Sequence, residues 1–256
     1  MRRFFSLFFV CIITFLSTLE GISIGVQVDG FQYRTHHFWN KHGKLRPAHN
    51  NLNFSGLDVW LSTRVLCNLQ LDLWTAWQNA DESLNGTSRG FADPELSATS
   101  QLTQVCGGDL FAQGVLVIPA GRQREMIRYG CWGGEFDLLY RYALPYCRLF
   151  TRLGFRGYSG KPSDLIRGTL GADFWPDSPL SLCTSLQLDY GLFNGRRDKH
   201  PNALLYNTNF RLLNLEGVLR YTFWKGCSFH GGGFYHLWGE NIGNNGGFFG
   251  GVSCVF

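Results

Sequence analysis

The sequence predicts an all-β chain folded as a transmembrane antiparallel up-and-down β-barrel of about 12 strands. Three observations carry that expectation. Period-two alternation recurs along the chain beyond residue 21, and no segment of useful length shows helical periodicity. Short turns alternate with longer polar connections. The mean hydropathy of −0.09 is close to neutral, and no long apolar run follows the N-terminal segment. That pattern excludes a helical membrane protein, whereas strands with one apolar and one polar face average to neutral.

Residues 1–21 read as a signal peptide and residues 22–256 as the barrel. Met1-Arg2-Arg3 is a charged start, and Phe4 to Leu16 is an apolar run too short for a spanning helix of about 20 residues. Gly21, after Leu19-Glu20, is one cleavage position and Gly25 another; an N-terminal anchor helix is the alternative. Cys11 lacks the small residues of a lipobox before it.

The strands follow in order. Leu69, Leu71, Leu73, Thr75 and Trp77 alternate with Asn68, Gln70, Asp72 and Gln78. Leu96, Ala98 and Leu102 alternate with Glu95, Ser97, Thr99, Gln101 and Thr103. Phe136, Leu138, Tyr140 and Tyr142 oppose Glu135, Asp137 and Arg141; Cys147, Leu149, Leu153 and Phe155 oppose Arg148, Arg152 and Arg156. Leu180, Leu182, Leu186, Leu188, Tyr190 and Leu192 oppose Ser181, Ser185, Gln187 and Asp189. The apolar faces are expected to meet lipid, with Leu69, Leu71, Leu73, Leu182, Leu186 and Leu188 pointing outwards. A soluble sandwich would show similar alternation, but here the polar faces are unusually charged.

Short connections fall near Ser62–Arg64, Cys106–Gly107, Leu144–Pro145, Pro176–Pro179 and Lys225–Gly226. Longer ones fall near Thr35–Asn51, Asn79–Ala92, Ala120–Arg128, Ser159–Ser163, Asn194–Leu213 and Gly239–Gly246. Short periplasmic turns, long outer loops and an even strand number put both ends of the barrel on one side. Leu204–Leu212 alternates like a strand, and parity assigns it to a loop. Trp60, Trp77, Trp132, Trp175, Trp224 and Trp238 lie near strand ends, where interfacial girdles are expected.

The last residues, Phe248 to Phe256, place Phe248, Gly250, Val252, Cys254 and Phe256 on one face. The stretch resembles the closing strand of a bacterial outer-membrane β-barrel, whose terminal aromatic is part of an assembly signal. The resemblance implies outer-membrane localisation, with membrane lipid and the barrel-assembly machinery as partners.

Beyond Cys11, seven of the eight cysteines remain. Cys67, Cys106, Cys147, Cys183, Cys227 and Cys254 lie near predicted periplasmic turns or the C-terminus, and Cys131 lies towards the outer side. They are either small apolar fillers of strand ends or disulfide candidates, within the barrel or to neighbouring envelope proteins. This usage resembles the cross-linked envelopes of chlamydia-like bacteria.

Gly90-Phe91-Ala92-Asp93-Pro94-Glu95-Leu96 begins one strand, and Leu116-Val117-Ile118-Pro119-Ala120-Gly121 ends the next. The pair is similar to the Gly-Asp-x-Glu-Leu and Leu-Pro-Thr-Gly segments of outer-membrane transporters associated with phenol meta-pathway operons, a group akin to fatty-acid channels. Ala120 stands where threonine is usual. The resemblance implies a passive channel for small molecules.

The expected lumen carries Arg141, Arg148, Arg152, Arg156 and Arg167 on consecutive strands, with Arg220 later. Asp72, Glu95, Asp109, Glu135 and Asp137 occupy earlier strands, and His230 and His236 share the lumen face beside Trp238. Opposed arcs of charge would set a transverse field that selects solutes; the alternative is a salt-bridge network that plugs the tube. A tight turn at Leu144–Pro145 would set Asp137 opposite Arg152 and Arg141 opposite Arg148.

The net charge of +4 comes without a basic run, so no nucleic-acid partner is expected. No phosphate loop, dinucleotide fingerprint or nucleophile elbow is present, and no cofactor or enzyme activity is expected. His36, His37, His42 and His49 gather in one polar stretch without regular ligand spacing, so no metal is expected. The leading expectation is diffusion of small polar or aromatic solutes. Its rival is a structural or surface-interaction protein with disulfide links at the periplasmic rim.

Overall fold

The computed structural model describes residues 23–66, 68–82, 86–121, 128–160, 162–195 and 208–256. The expected signal segment 1–21 and Cys67 lie outside the described residues. Among the described residues thirteen strands run in chain order: β1 (Ser23–Trp39), β2 (Leu45–Leu66), β3 (Leu69–Glu82), β4 (Gly86–Phe91), β5 (Glu95–Val105), β6 (Gly108–Val117) and β7 (Gly133–Leu144). They continue with β8 (Cys147–Tyr158), β9 (Leu165–Phe174), β10 (Leu180–Gly191), β11 (Arg211–Trp224), β12 (Cys227–Glu240) and β13 (Ile242–Val255).

All pairings are antiparallel, and β2 pairs with both β1 and β3, so the sheet closes on itself. Pairing of β1 with β13 completes the ring, and β4 hangs only on the upper half of β3. Setting β4 aside, twelve strands form a closed up-and-down barrel, as the alternation foretold. Closure leaves no unpaired edge within a bilayer, which an open sheet could not tolerate.

The burial pattern is inverted relative to a soluble protein. Leu153 is 65% exposed, whereas Arg156 on the same strand is 8% exposed. Leu153, Phe155, Leu170, Leu215 and Leu219 form an outward apolar belt, and charged rows face inwards. The chain therefore sits in the outer membrane as a lipid-embedded barrel.

The short turns are built by local chemistry. Cys106 and Gly107 adopt φ of 50° and 79°, the pair of left-handed residues that a two-residue hairpin of matching twist requires. Gly226 (φ 83°) serves the β11–β12 turn, where a Cβ would collide with the Val255 carbonyl.

Several sequence expectations are corrected. The turn expected at Ser62–Arg64 comes later, because β2 keeps pairing with β3 as far as Leu66. The stretch Thr35–Asn51 is mostly strand: β1 and β2 rise past a bulge at His36 and turn only at 40–44. The Gly239–Gly246 stretch is a tight turn at Asn241 (φ 53°), not a long loop. Leu212 and Leu213 belong to β11, pairing with Asp189 and Leu188; residues 196–207 lie outside the described residues.

The expected cross-strand pairs at β7–β8 are displaced by two. Pro145 and Tyr146 both lie in the turn, so Leu144 meets Cys147, Asp137 meets Gly154, and Arg152 meets Leu139. Arg141 opposes Phe150 and Arg148 opposes Ala143. An even displacement keeps every side chain on its expected face.

Candidate functional site: the charged lumen

The long-loop half of the lumen is filled by two dissimilar blocks. On β1–β3, Leu52, Phe54 and Ala80 are buried with Phe31, Tyr33 and Phe38 packed against them. Tyr33 stacks on Phe54 with ring centres 4.6 Å apart and meets Phe234 edge-on at 5.5 Å. Thr35 hydrogen-bonds Asn245 across the β1–β13 pairing.

Opposite lies a chain of alternating charge. Arg156 donates from Nη1 and Nη2 to Glu95 at 2.6 and 3.0 Å, and from Nε to Glu135. Glu135, whose side chain has no exposed surface, also accepts from Arg167 at 2.8 Å; Arg167 then donates to Asp189 at 2.8 Å. The order Glu95–Arg156–Glu135–Arg167–Asp189 stitches β5, β7, β8, β9 and β10 together. Each guanidinium has carboxylate partners on both sides, the arrangement in which buried charges are compensated.

Asp137 lies one inward step below Glu135 and is fully buried over Gly154. Neither of its carboxylate oxygens has a hydrogen-bond partner among the described residues.

Towards the short-turn end the lumen opens into two adjoining cavities of about 500 Å³ each. One is lined by Arg141, Arg148, Arg152 and Arg220 with Asp173 and Glu216. The other is lined by Asp29, Asp58 and His230 together with Phe31, Trp60 and Trp74. Cys183, Glu216, Val218 and Arg220 belong to both walls. Asp29 hydrogen-bonds His230 and accepts from Gln27 at 2.6 Å.

The thirteen residues expected to line the lumen fall on inward rows of the pairing register, in several different settings. Glu95, Glu135, Arg156 and Arg167 are brought together and mutually paired. Asp72 accepts from Gln70 and Ser97, and Asp109 accepts from Gln101 and Gln104, so these acids are held by neutral donors. Arg141, Arg148, Arg152 and Arg220 converge on one cavity. Asp137 sits between layers within electrostatic reach of Glu135, Arg152 and Arg167, His230 joins Asp29, and His236 is held 2.9 Å from the Gly243 carbonyl. Asp29 and Asp58 join the lumen with no signal in the sequence that singles them out, while Asp189, on the expected polar face of its strand, completes the ion chain.

Two aromatic expectations are corrected. Trp60 is not part of a lipid girdle: it shares the inward row of Asp58 and meets Trp74 across the strand pair at 5.9 Å. Trp238 leaves the lumen face, because a bulge beyond His236 sets it opposite Leu213 on the outward row.

The two sequence segments around Asp93 and Pro119 meet in space. Asp93 accepts from the Ala120 and Gly130 amides at 2.8 and 2.7 Å, and Ile118 donates to the Pro94 carbonyl. Cys131 lies beside them; burial pushes its thiol up and the Asp93 carboxylate adds to the rise.

Among the candidate cysteines, Cys227 and Cys254 are disulfide-bonded across β12–β13, with Cα atoms 4.2 Å apart. Cys106, Cys147 and Cys183 are free thiols, as is Cys131. Among the described residues no group of three His, Cys, Asp or Glu is placed to hold a metal ion.

No protein-family model matches the chain, and no curated protein matches it in sequence. Solved structures do. An outer membrane channel from Pseudomonas putida F1 superposes with a TM-score of 0.71 at 16% identity, covering 92% of this chain and 96% of that one. The NanC porin gives a TM-score of 0.54 at 10% identity, over 89% of this chain and 98% of that one. The KdgM porin, solved with disordered oligogalacturonate, gives 0.53 at 10% identity, over 89% and 99%. At such identities the likeness establishes the fold, and the fold is that of a closed twelve-stranded outer-membrane β-barrel.

Proposed function

We propose that the protein is an outer-membrane channel through which small polar or aromatic solutes diffuse. One observation carries this reading: the short-turn half of the barrel encloses two adjoining cavities lined by charged side chains instead of a packed core. Arginines dominate one wall, and Asp29 with Asp58 faces them from the other. In a low-dielectric tube this sets up a transverse field that orients and sorts solutes by charge. The relatives in fold support the same reading, being a channel and two porins.

On this reading residues 1–21 direct export, the barrel-assembly machinery inserts the chain, and lipid surrounds the apolar belt. Purified protein in a planar bilayer is expected to give discrete conductance steps. A folded barrel without conductance would remove the channel reading.

A second reading is favoured by Cys106, which is exposed and free in a turn at the short-turn end. Such a thiol is placed to link the barrel to neighbouring envelope proteins. Non-reducing electrophoresis of native membranes tests this, with high-mass species that collapse on reduction as the expected outcome.

A further inference from the structure

We propose that the arginine-lined cavity is a specific binding site for a small organic oxyanion, a carboxylate carried on an apolar body. The inference deepens the channel reading and rests on it for the ligand's route, while the site itself needs only the folded barrel.

Charge supplies the first argument. The cavity is lined by four guanidinium groups and two carboxylates, an excess of two positive charges in about 500 Å³. Like charges held together in a lumen of low effective dielectric repel unless a counter-charge sits between them.

Pairing supplies the second. One layer nearer the long loops, Arg156 and Arg167 each bind two carboxylates. Among the described residues, Arg141, Arg152 and Arg220 form no ion pair within 4.0 Å, and Asp109 and Asp137 act on Arg141 and Arg152 only from further off. Arg148 reaches only Asp177, at 3.8 Å, and that carboxylate is 93% exposed. The Nε of Arg152 is buried without an acceptor. The same barrel thus satisfies its arginines in one layer and leaves donors open in the next.

Shape and wall chemistry define the ligand. Guanidinium forks match the two oxygens of a carboxylate, and several of them converging hold it without a fixed protein acid. Leu139, Phe150 and Val218 interrupt the arginines with apolar surface, enough to cover a ring or short chain. The volume lies within the range of about 300–1,000 Å³ usual for small-molecule sites.

The test is calorimetric titration of the full barrel in detergent micelles with benzoate, benzyl alcohol and inorganic phosphate. Benzoate is expected to bind saturably, phosphate more weakly, and benzyl alcohol not at all. Arg152→Gln and Arg220→Gln should each weaken benzoate by about tenfold or more, the loss expected for a charged hydrogen bond. Arg152→Lys should keep part of the affinity, and Arg89→Gln, on β4 outside the ring, should keep all of it. Folding of each variant is checked by heat-modifiable migration on gels.

Absence of saturable benzoate binding overturns the proposal, as does benzyl alcohol binding equally well. Phosphate binding as tightly as benzoate overturns the organic ligand. Folded Arg152→Gln and Arg220→Gln proteins that both bind like the parent overturn the site. Conductance without benzoate binding removes the site and leaves the channel; benzoate binding without conductance does the reverse.

Discussion

The carboxylate of Asp137 occupies the space that a Cβ on Gly154 would need, because the two residues oppose each other on β7 and β8 with both facing inwards. Gly154→Ala forces either Asp137 or the strand to move. Overpacking of this kind costs about 1–3 kcal/mol. Gly134, on the outward row of the same strand as Asp137, has open space where its Cβ would lie, so Gly134→Ala should be nearly neutral. Urea unfolding in micelles separates the two; equal midpoints would displace Asp137 from this position.

Glu135 is the hub of the ion chain. Glu135→Gln leaves Arg156 and Arg167 short of a counter-charge inside the barrel, and breaking a buried pair typically costs about 3–5 kcal/mol. The Arg211–Glu240 pair is a quarter exposed on the arginine side. Glu240→Gln should therefore cost no more than about 1 kcal/mol. Comparable losses from both changes would mean that the chain is solvated like the rim.

Leu71 lies on the outward row of β3, in a groove with Leu96 and Phe136. Leu71→Arg near mid-bilayer should destabilise by about 2–4 kcal/mol. Gln70, its inward neighbour, hydrogen-bonds Asp72, and Gln70→Arg should be tolerated. Refolding yield into lipid vesicles reads both.

Ion selectivity distinguishes the faces of β8. Arg148→Glu changes the arginine wall by two charge units and should shift the reversal potential towards cations. Leu149→Ala, pointing to lipid, should leave it unchanged. Equal shifts, or none from either, would mean that β8 does not line the conducting path.

Thiol labelling probes the two ends. Thiolate is the reactive form, so a thiol whose pKa is raised reacts slowly at neutral pH and accelerates as pH climbs through it. Cys131, partly buried beside Asp93, should label slowly at neutral pH and accelerate as the pH rises, whereas Cys106 is exposed to the reagent. Cys227 and Cys254 should label only after reduction.

Much of this architecture is legible in alternation alone. Arg148, Arg152 and Arg156 announce their shared face because they recur every four residues, an even spacing on a strand, and no turn error of two residues can change that. What alternation does not carry is height. The partners of Arg152 depended on whether Tyr146 belonged to the turn, and Pro145 marks the bend without fixing its length. Trp60 misleads for another reason: a large aromatic on the inward row is read as lipid-facing unless the wide lumen it fills is already known. The contrast between satisfied Arg156 and open Arg220 is beyond sequence, since both sit in similar alternating surroundings.

The β1–β13 pairing has a consequence for how the ring resists opening. Nearly every other neighbour relation joins strands that follow one another in the chain, whereas this seam joins Gly25 to Val255, 230 positions apart. It continues to the end: Ile24 and Phe256 exchange amide hydrogen bonds of 3.1 and 2.8 Å. Hairpins form from local encounters, so the seam alone carries the entropy of bringing distant chain together. The disulfide from Cys227 to Cys254 fastens β13 to β12 at the same end. Parting β13 from β1 therefore means breaking a long antiparallel pairing that the disulfide does not cross, and closing it is the one step of ring formation that local encounters cannot supply.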